Sequence, residues 1–166
     1  MRKGTALLMP VVVLVLATCT PPPAVTATDL LSVLSTSAGP APSVAELTFR
    51  QDGSVLYGLV GEVSVCPLHP SPADLARLAS ELKASVDLLS SVSAARFEES
   101  FSDVADVTFI LPKPPLPGRS NEISVPFELF PVRLLPLIEA TDELAGKACG
   151  ARYHPVAPRL RSRAAE

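Results

Sequence analysis

The chain has 166 residues, 5% of them aromatic and none of them tryptophan, with a formal net charge of −3. That length favours a single domain able to bury its own core, here built from Leu, Val, Ile and Ala. The mild acidity offers no electrostatic footprint for nucleic acid, and the positive mean hydropathy owes part of its value to the N-terminus rather than to a membrane-embedded body.

Arg2 and Lys3 precede an apolar run over residues 6–17 that closes on Leu16-Ala17-Thr18-Cys19. A basic start, a short apolar stretch and a small-residue cut site make an export signal. The run is too short to span a bilayer core, which takes ~20 apolar residues. Leu16-Ala17-Thr18-Cys19 resembles the lipobox of bacterial lipoproteins, which implies cleavage before Cys19 and a lipid on its sulfur. Thr18 stands where that group usually has Gly, Ala or Ser. The expected location is therefore a bacterial membrane, on its periplasmic or outer face, held by the lipid on Cys19. The alternative is an ordinary secretory signal cut later, after the small-residue stretch ending at Ala27, with a secreted product. Loss of residues 1–18 removes Arg2 and Lys3 and no acid, so the formal charge goes from −3 to −5.

Residues 19–43 are rich in Pro, Ser and Thr and read as a tether, extended where proline is dense. The apolar patch of Leu30, Leu31, Val33 and Leu34 predicts at most a brief helix within it. The folded unit is expected over residues 44–150. Residues 44–50 read as a strand, and Gln51-Asp52-Gly53-Ser54 as the turn of a hairpin. Val55, Tyr57, Leu59, Val63 and Val65 alternate with smaller or polar residues, the period-two signature of a half-buried strand. Gly58 and Gly61 within it indicate a bulge or a close backbone approach.

Ser71, Pro72 and Asp74 supply an N-cap, a first-turn proline and a capping-box acid. Leu75, Leu78, Ala79, Leu82, Val86 and Leu89 follow as one apolar stripe at helical spacing. A third strand is predicted over residues 104–111. Prolines over residues 112–118 then exclude strand and helix, because proline lacks an N–H and fixes φ. Ile123, Val125, Phe127 and Leu129 alternate as a fourth strand, with Pro126 marking an edge or a bulge. From Pro136 a second helix presents Leu137, Ile138, Leu144, Ala145 and Ala148, and Gly150 sits where a C-cap glycine belongs. Residues 151–166, rich in Pro and Arg, read as a disordered basic tail. The expected fold is α+β in the order β-β-α-β-β-α, an antiparallel four-strand sheet with both helices on one face.

With Cys19 assigned to lipid, Cys66 and Cys149 form an even pair in an oxidising compartment, where disulfides persist. The alternative is zinc: Cys66 lies close to His69 and Cys149 close to His154, and two thiolates with two imidazoles suit that metal. The disulfide is the expectation, with no metal and no cofactor.

Residues 46–148 resemble the emfourin-like group, small bacterial proteins named for an inhibitor of protealysin-type metalloproteases, many of them exported lipoproteins. The resemblance is carried by the Gly-containing hairpin turn at residues 51–54, by the helix Ala73-Asp74-Leu75-Ala76-Arg77-Leu78, and by Pro131-Val132-Arg133-Leu134-Leu135-Pro136-Leu137-Ile138-Glu139, which looks like that family's helix entry. It implies a protease-inhibitor-like role with a metalloprotease as partner. The cysteine pair and the proline loop depart from the family pattern, and no inhibitory residue is carried over.

No catalytic constellation is legible. His69 and His154 sit in proline-flanked loops, no Gly-x-Ser-x-Gly elbow occurs, and Gly58-Leu59-Val60-Gly61 lacks the spacing and the basic residue of a phosphate loop. Adjacent Glu98 and Glu99 suit solvated positions. Phe97, Phe101, Phe109, Phe127 and Phe130 suit the core. The surface feature that stands out is the loop carrying Lys113, Pro114, Pro115, Leu116 and Arg119, because proline pre-ordering lowers the entropy cost of recognition; a plain spacer between two strands is the alternative. The expected function is a non-catalytic, lipid-anchored binding module of the cell envelope with a protein partner. The second reading is an assembly factor of an envelope complex.

Overall fold

A computed structural model of the chain describes residues 29–37, 43–94, 105–115, 117–118 and 120–164. The signal segment, Cys19, Phe97, Glu98, Glu99, Phe101, Leu116 and Arg119 lie outside the described residues. The fold is α+β, with a six-strand antiparallel sheet in the order β4-β3-β2-β1-β5-β6. The strands are β1 Asp29–Thr36, β2 Val44–Arg50, β3 Val55–Leu59, β4 Ser64–Val65, β5 Asp106–Ile110 and β6 Glu122–Pro126. The helices are α1 Pro72–Ala94, α2 Leu135–Cys149 and α3 Ala157–Ala164.

Two strands and one helix exceed the expected set. The larger correction is β1, which lies inside the stretch read as a tether and occupies the middle of the sheet. It pairs with β2 on one side, with Val33 opposite Leu47, and with β5 on the other, with Val33 opposite Phe109. Ser32, Ser35 and Thr36 give this segment a linker-like composition. Two neighbouring strands nonetheless satisfy its backbone groups, which decides between strand and coil. Ser32 Oγ bonds Thr48 Oγ1 across the ladder at 2.7 Å, so a buried hydroxyl here is partnered rather than orphaned.

The second correction concerns residues 55–65, read as one strand. The chain turns at Gly61, whose φ is +93°, and returns as β4 with Val65 opposite Leu56. Gly58 is required by the return: a Cβ placed there would meet the Glu62 carbonyl oxygen at 2.5 Å. Gly58→Ala is therefore expected to cost about 2 kcal/mol, as overpacking against backbone does, measured as a lowered urea midpoint with an unchanged slope. The fourth predicted strand is also shorter than expected. It stops at Pro126, and Phe127–Leu129 forms a 3-10 turn.

The third correction is at the C-terminus. Residues 157–164 of the supposed disordered tail are α3, with Val156, Ala157 and Leu160 buried. Val156 and Leu160 are spaced to share one helix face, and the arginines between them masked that face in a composition-based reading.

α1 begins as the capping residues indicated. The Ser71 N–H and Oγ–H both donate to Asp74, at 3.2 and 2.7 Å, and the Asp74 N–H donates back to Ser71 Oγ at 3.2 Å. These bonds, with help from Lys147, hold the Asp74 carboxyl below the usual aspartate range. Asp74 to Lys147 (3.3 Å) and Arg77 to Glu143 (2.9 Å) link α1 to α2 across solvent-exposed ground. Below them Leu78, Leu89, Leu137, Ile138 and Leu144 share one core with the sheet positions Leu31, Val33, Phe49, Val107, Phe109 and Val125. Strand alternation puts all six of those sheet positions on the same face, the one the helices cover.

Candidate functional site

Successive inward rows of the sheet are filled differently. Leu31, Phe49 and Val55 make one row, Val33, Leu47 and Tyr57 the next, and Ser35, Ala45 and Leu59 the last. Ser35 and Ala45 are small where the earlier rows carry Leu, Val or Phe, so the sheet floor drops away at this end. Above it lies the short segment that follows α2, contributing Tyr153, His154, Val156 and Arg159. Between floor and roof is a cavity of about 260 Å³. Apolar surface dominates its walls, as in small-molecule sites, and three serines, two tyrosines, His154 and Arg159 contribute polar groups.

Asp142 of α2 positions the roof. Its carboxylate accepts hydrogen bonds from the Tyr153 hydroxyl, from the Val156 N–H at 3.1 Å and from the Ala157 N–H at 2.7 Å. The last two are backbone donors at the start of α3, where a carboxylate is favoured by the helix dipole. Burial, and then the adjacent Asp142 charge, raise the Tyr153 hydroxyl above its ordinary pKa, so it stays protonated and remains a donor. Tyr57 meets Tyr153 edge to face with ring centroids 5.0 Å apart, and its hydroxyl accepts the His154 N–H at 3.3 Å.

Three serines line the same space. Ser37 Oγ and Ser43 Oγ bond one another at 2.9 Å where β1 ends and β2 begins. Ser35 Oγ is buried and has no hydrogen-bond partner among the described residues. Arg159 stands with its guanidinium carbon 5.1 Å over the Phe127 ring, and among the described residues no carboxylate forms an ion pair with it.

The structure joins Cys66 to Cys149 in a disulfide, with Cα atoms 4.7 Å apart and both residues buried. Neither sulfur is then a thiolate that could coordinate zinc. His69 Nδ1 is 3.2 Å from the Gly53 carbonyl oxygen, whereas the His154 N–H donates to the Tyr57 hydroxyl. In the proline loop, Lys113 and Pro114 are exposed and Pro115 is half-buried. The loop follows Ile110, which pairs with Ser32, so it projects from the opposite end of β1 to Ser35 and the cavity. His154 and Arg159 were legible as residues, in a loop and a tail. Ser35, Ala45, Tyr57, Tyr153 and Val156 were not singled out as site residues. The one sequence signal for them is small residues at two inward strand positions, and it becomes readable only once the strand pairing is known.

No family model, curated protein or solved structure matches this chain.

Proposed function

We propose that the chain is a non-catalytic, lipid-anchored binding module of the bacterial cell envelope. The observation that carries the reading is a cavity of about 260 Å³ with chiefly apolar walls, between the end of the sheet at Ser35, Ala45 and Leu59 and the segment that follows α2. The lipobox-like residues ending at Cys19 and the Cys66–Cys149 disulfide support the oxidising, membrane-attached setting. Beside the cavity, the β3–β4 hairpin exposes Leu59, Val60 and Val65, with Leu68 just beyond. Exposed apolar side chains gathered in one place suit a protein partner, which favours keeping an envelope protein in the proposal. Inhibition of a metalloprotease in the emfourin manner is its specific form, and service as an assembly factor its second form.

Intact-mass measurement of the native protein extracted from membranes tests the setting. The expected species lacks residues 1–18, carries acyl mass on Cys19 and is short of two hydrogens. A soluble cytosolic product with Met1 and free thiols would overturn it. Affinity capture from membranes then separates the two forms, a secreted metalloprotease supporting inhibition and a stable stoichiometric envelope complex supporting assembly. Hydrolysis of a peptide or ester panel, lost on replacing His154, would overturn the non-catalytic reading.

A further inference from the structure

We infer that the anchor turns the Asp29 end of the sheet toward the lipid bilayer, so that the cavity and the β3–β4 turn stand at the end facing away from it. The inference rests on the lipid-anchored reading above and adds which surface of the domain meets headgroups.

The tether is short because β1 is not part of it. Nine residues, 20–28, separate Cys19 from Asp29. A stretch of that length reaches no more than about 35 Å fully extended, and as a flexible chain it spans about 18 Å on average. A folded unit beginning at Val44 would have had 24 residues, 20–43, in which to turn over.

Strand register sorts the loops between the two ends. Asp29 pairs with Arg50, whose N–H donates to the Ser54 carbonyl at 3.0 Å and closes the β2–β3 turn. Ser32 pairs with Ile110, so antiparallel β5 carries Leu111 and the proline loop past the start of β1. The Leu111 N–H donates to the Asn121 carbonyl at 2.8 Å and closes the base of that loop. At the other end Ser35 pairs with Ala45 and Ala45 with Leu59, and the Val60 N–H donates to the Val44 carbonyl at 2.9 Å. Ser35 lies six residues along β1 from Asp29, a distance of about 20 Å, and two strand spacings of about 4.8 Å separate β1 from β3. Leu59 therefore lies about 22 Å from the point of attachment, beyond the tether's average span of about 18 Å.

Exposure agrees with that polarity. The Asp29 end presents Gln51, Asp52, Lys113 and Pro114, all exposed; its polar groups are costly to bury in hydrocarbon and suit a layer of hydrated headgroups. Leu59 and Val60, 51% and 46% exposed, crown the far end, where the short tether keeps them from the lipid. Aliphatic side chains held off the membrane in this way are available to a protein arriving from the aqueous side.

The chain has no tryptophan, so one introduced tryptophan is an unambiguous energy-transfer donor. Transfer to a lipid carrying dansyl on its headgroup tests the inference, with the full lipidated chain in phosphatidylglycerol–phosphatidylethanolamine vesicles. Lys113→Trp should transfer at least twice as efficiently as Val60→Trp. Gln51→Trp and Glu62→Trp, also at exposed positions, form a second pair with the same expected order should either of the first fail to fold. Inserting about twenty Gly and Ser residues after Pro23 raises the average span to about 30 Å and should erase the difference. Equal transfer from the two ends, stronger transfer from Val60→Trp, or a difference that survives the longer spacer overturns the inference, while acyl mass on Cys19 in the same preparation upholds the anchored reading. Absence of that acyl mass overturns the anchored reading and the inference with it.

Discussion

Cys66→Ala combined with Cys149→Ala is expected to lower the stability of the folded domain by about 4 kcal/mol, the chain-entropy value for a long disulfide-closed loop. The two cysteines are 83 residues apart in sequence, and the loop between them contains α1, β5, β6 and most of α2. Without the bond, the denatured chain regains the freedom to separate the β4 end from the α2 end. The native contacts that remain at this point are modest. The Cys66 N–H donates to the Val55 carbonyl at 2.7 Å and the Leu68 N–H to the Ala148 carbonyl at 3.2 Å. Alanine is the proper replacement because both sites are 3% exposed, and a serine hydroxyl would add a buried polar group needing its own partner. Differential scanning calorimetry should show a midpoint lower by about 15 °C. Reductant should shift the wild-type chain toward that value and leave the variant unmoved. A variant melting within two or three degrees of wild type would mean that the bond contributes little beyond what packing already supplies.

Asp142→Ala is the second large effect, at about 3 kcal/mol, because one carboxylate satisfies three donors and its loss strands them together. The Tyr153 hydroxyl is buried and has its bond to Asp142, while the Val156 and Ala157 N–H groups belong to the first turn of a helix only eight residues long. A helix of that length is marginal without its cap and its packed face. The expected outcome is local. Amide protection should fall across residues 153–164 in hydrogen exchange while β1, β2 and β5 keep theirs, and the urea midpoint should drop. Asp142→Asn should lie between, since the amide keeps an acceptor oxygen and loses the charge.

Much of the fold was readable from local patterns. Ser71, Pro72 and Asp74 announced α1, and its apolar stripe followed at the right spacing. Gly150 announced the end of α2, where its φ of +60° uses glycine's freedom. The alternation through Ile123 and Val125 announced β6. Each of these is a local rule, expressed within a few residues of where it acts. β1 was not readable in the same way. Its serines and threonines reflect a position in the middle of the sheet, where hydroxyls such as those of Ser32 and Thr48 bond each other across strands. α3 was hidden for a related reason: its two buried residues count only because α2 supplies Asp142 as their cap.

The helix starts and the hairpin turn are questions this chain's sequence answers alone, since each depends on neighbouring residues and backbone preference. The strand order, the fold of β3 back onto β4 and the existence of the cavity were decided only by tertiary structure. A void cannot be read along a chain. It arises when small residues on β1 and β2, 10 positions apart at Ser35 and Ala45, come into one row beneath a roof contributed from residues 153–159, and only the folded register brings those three segments together.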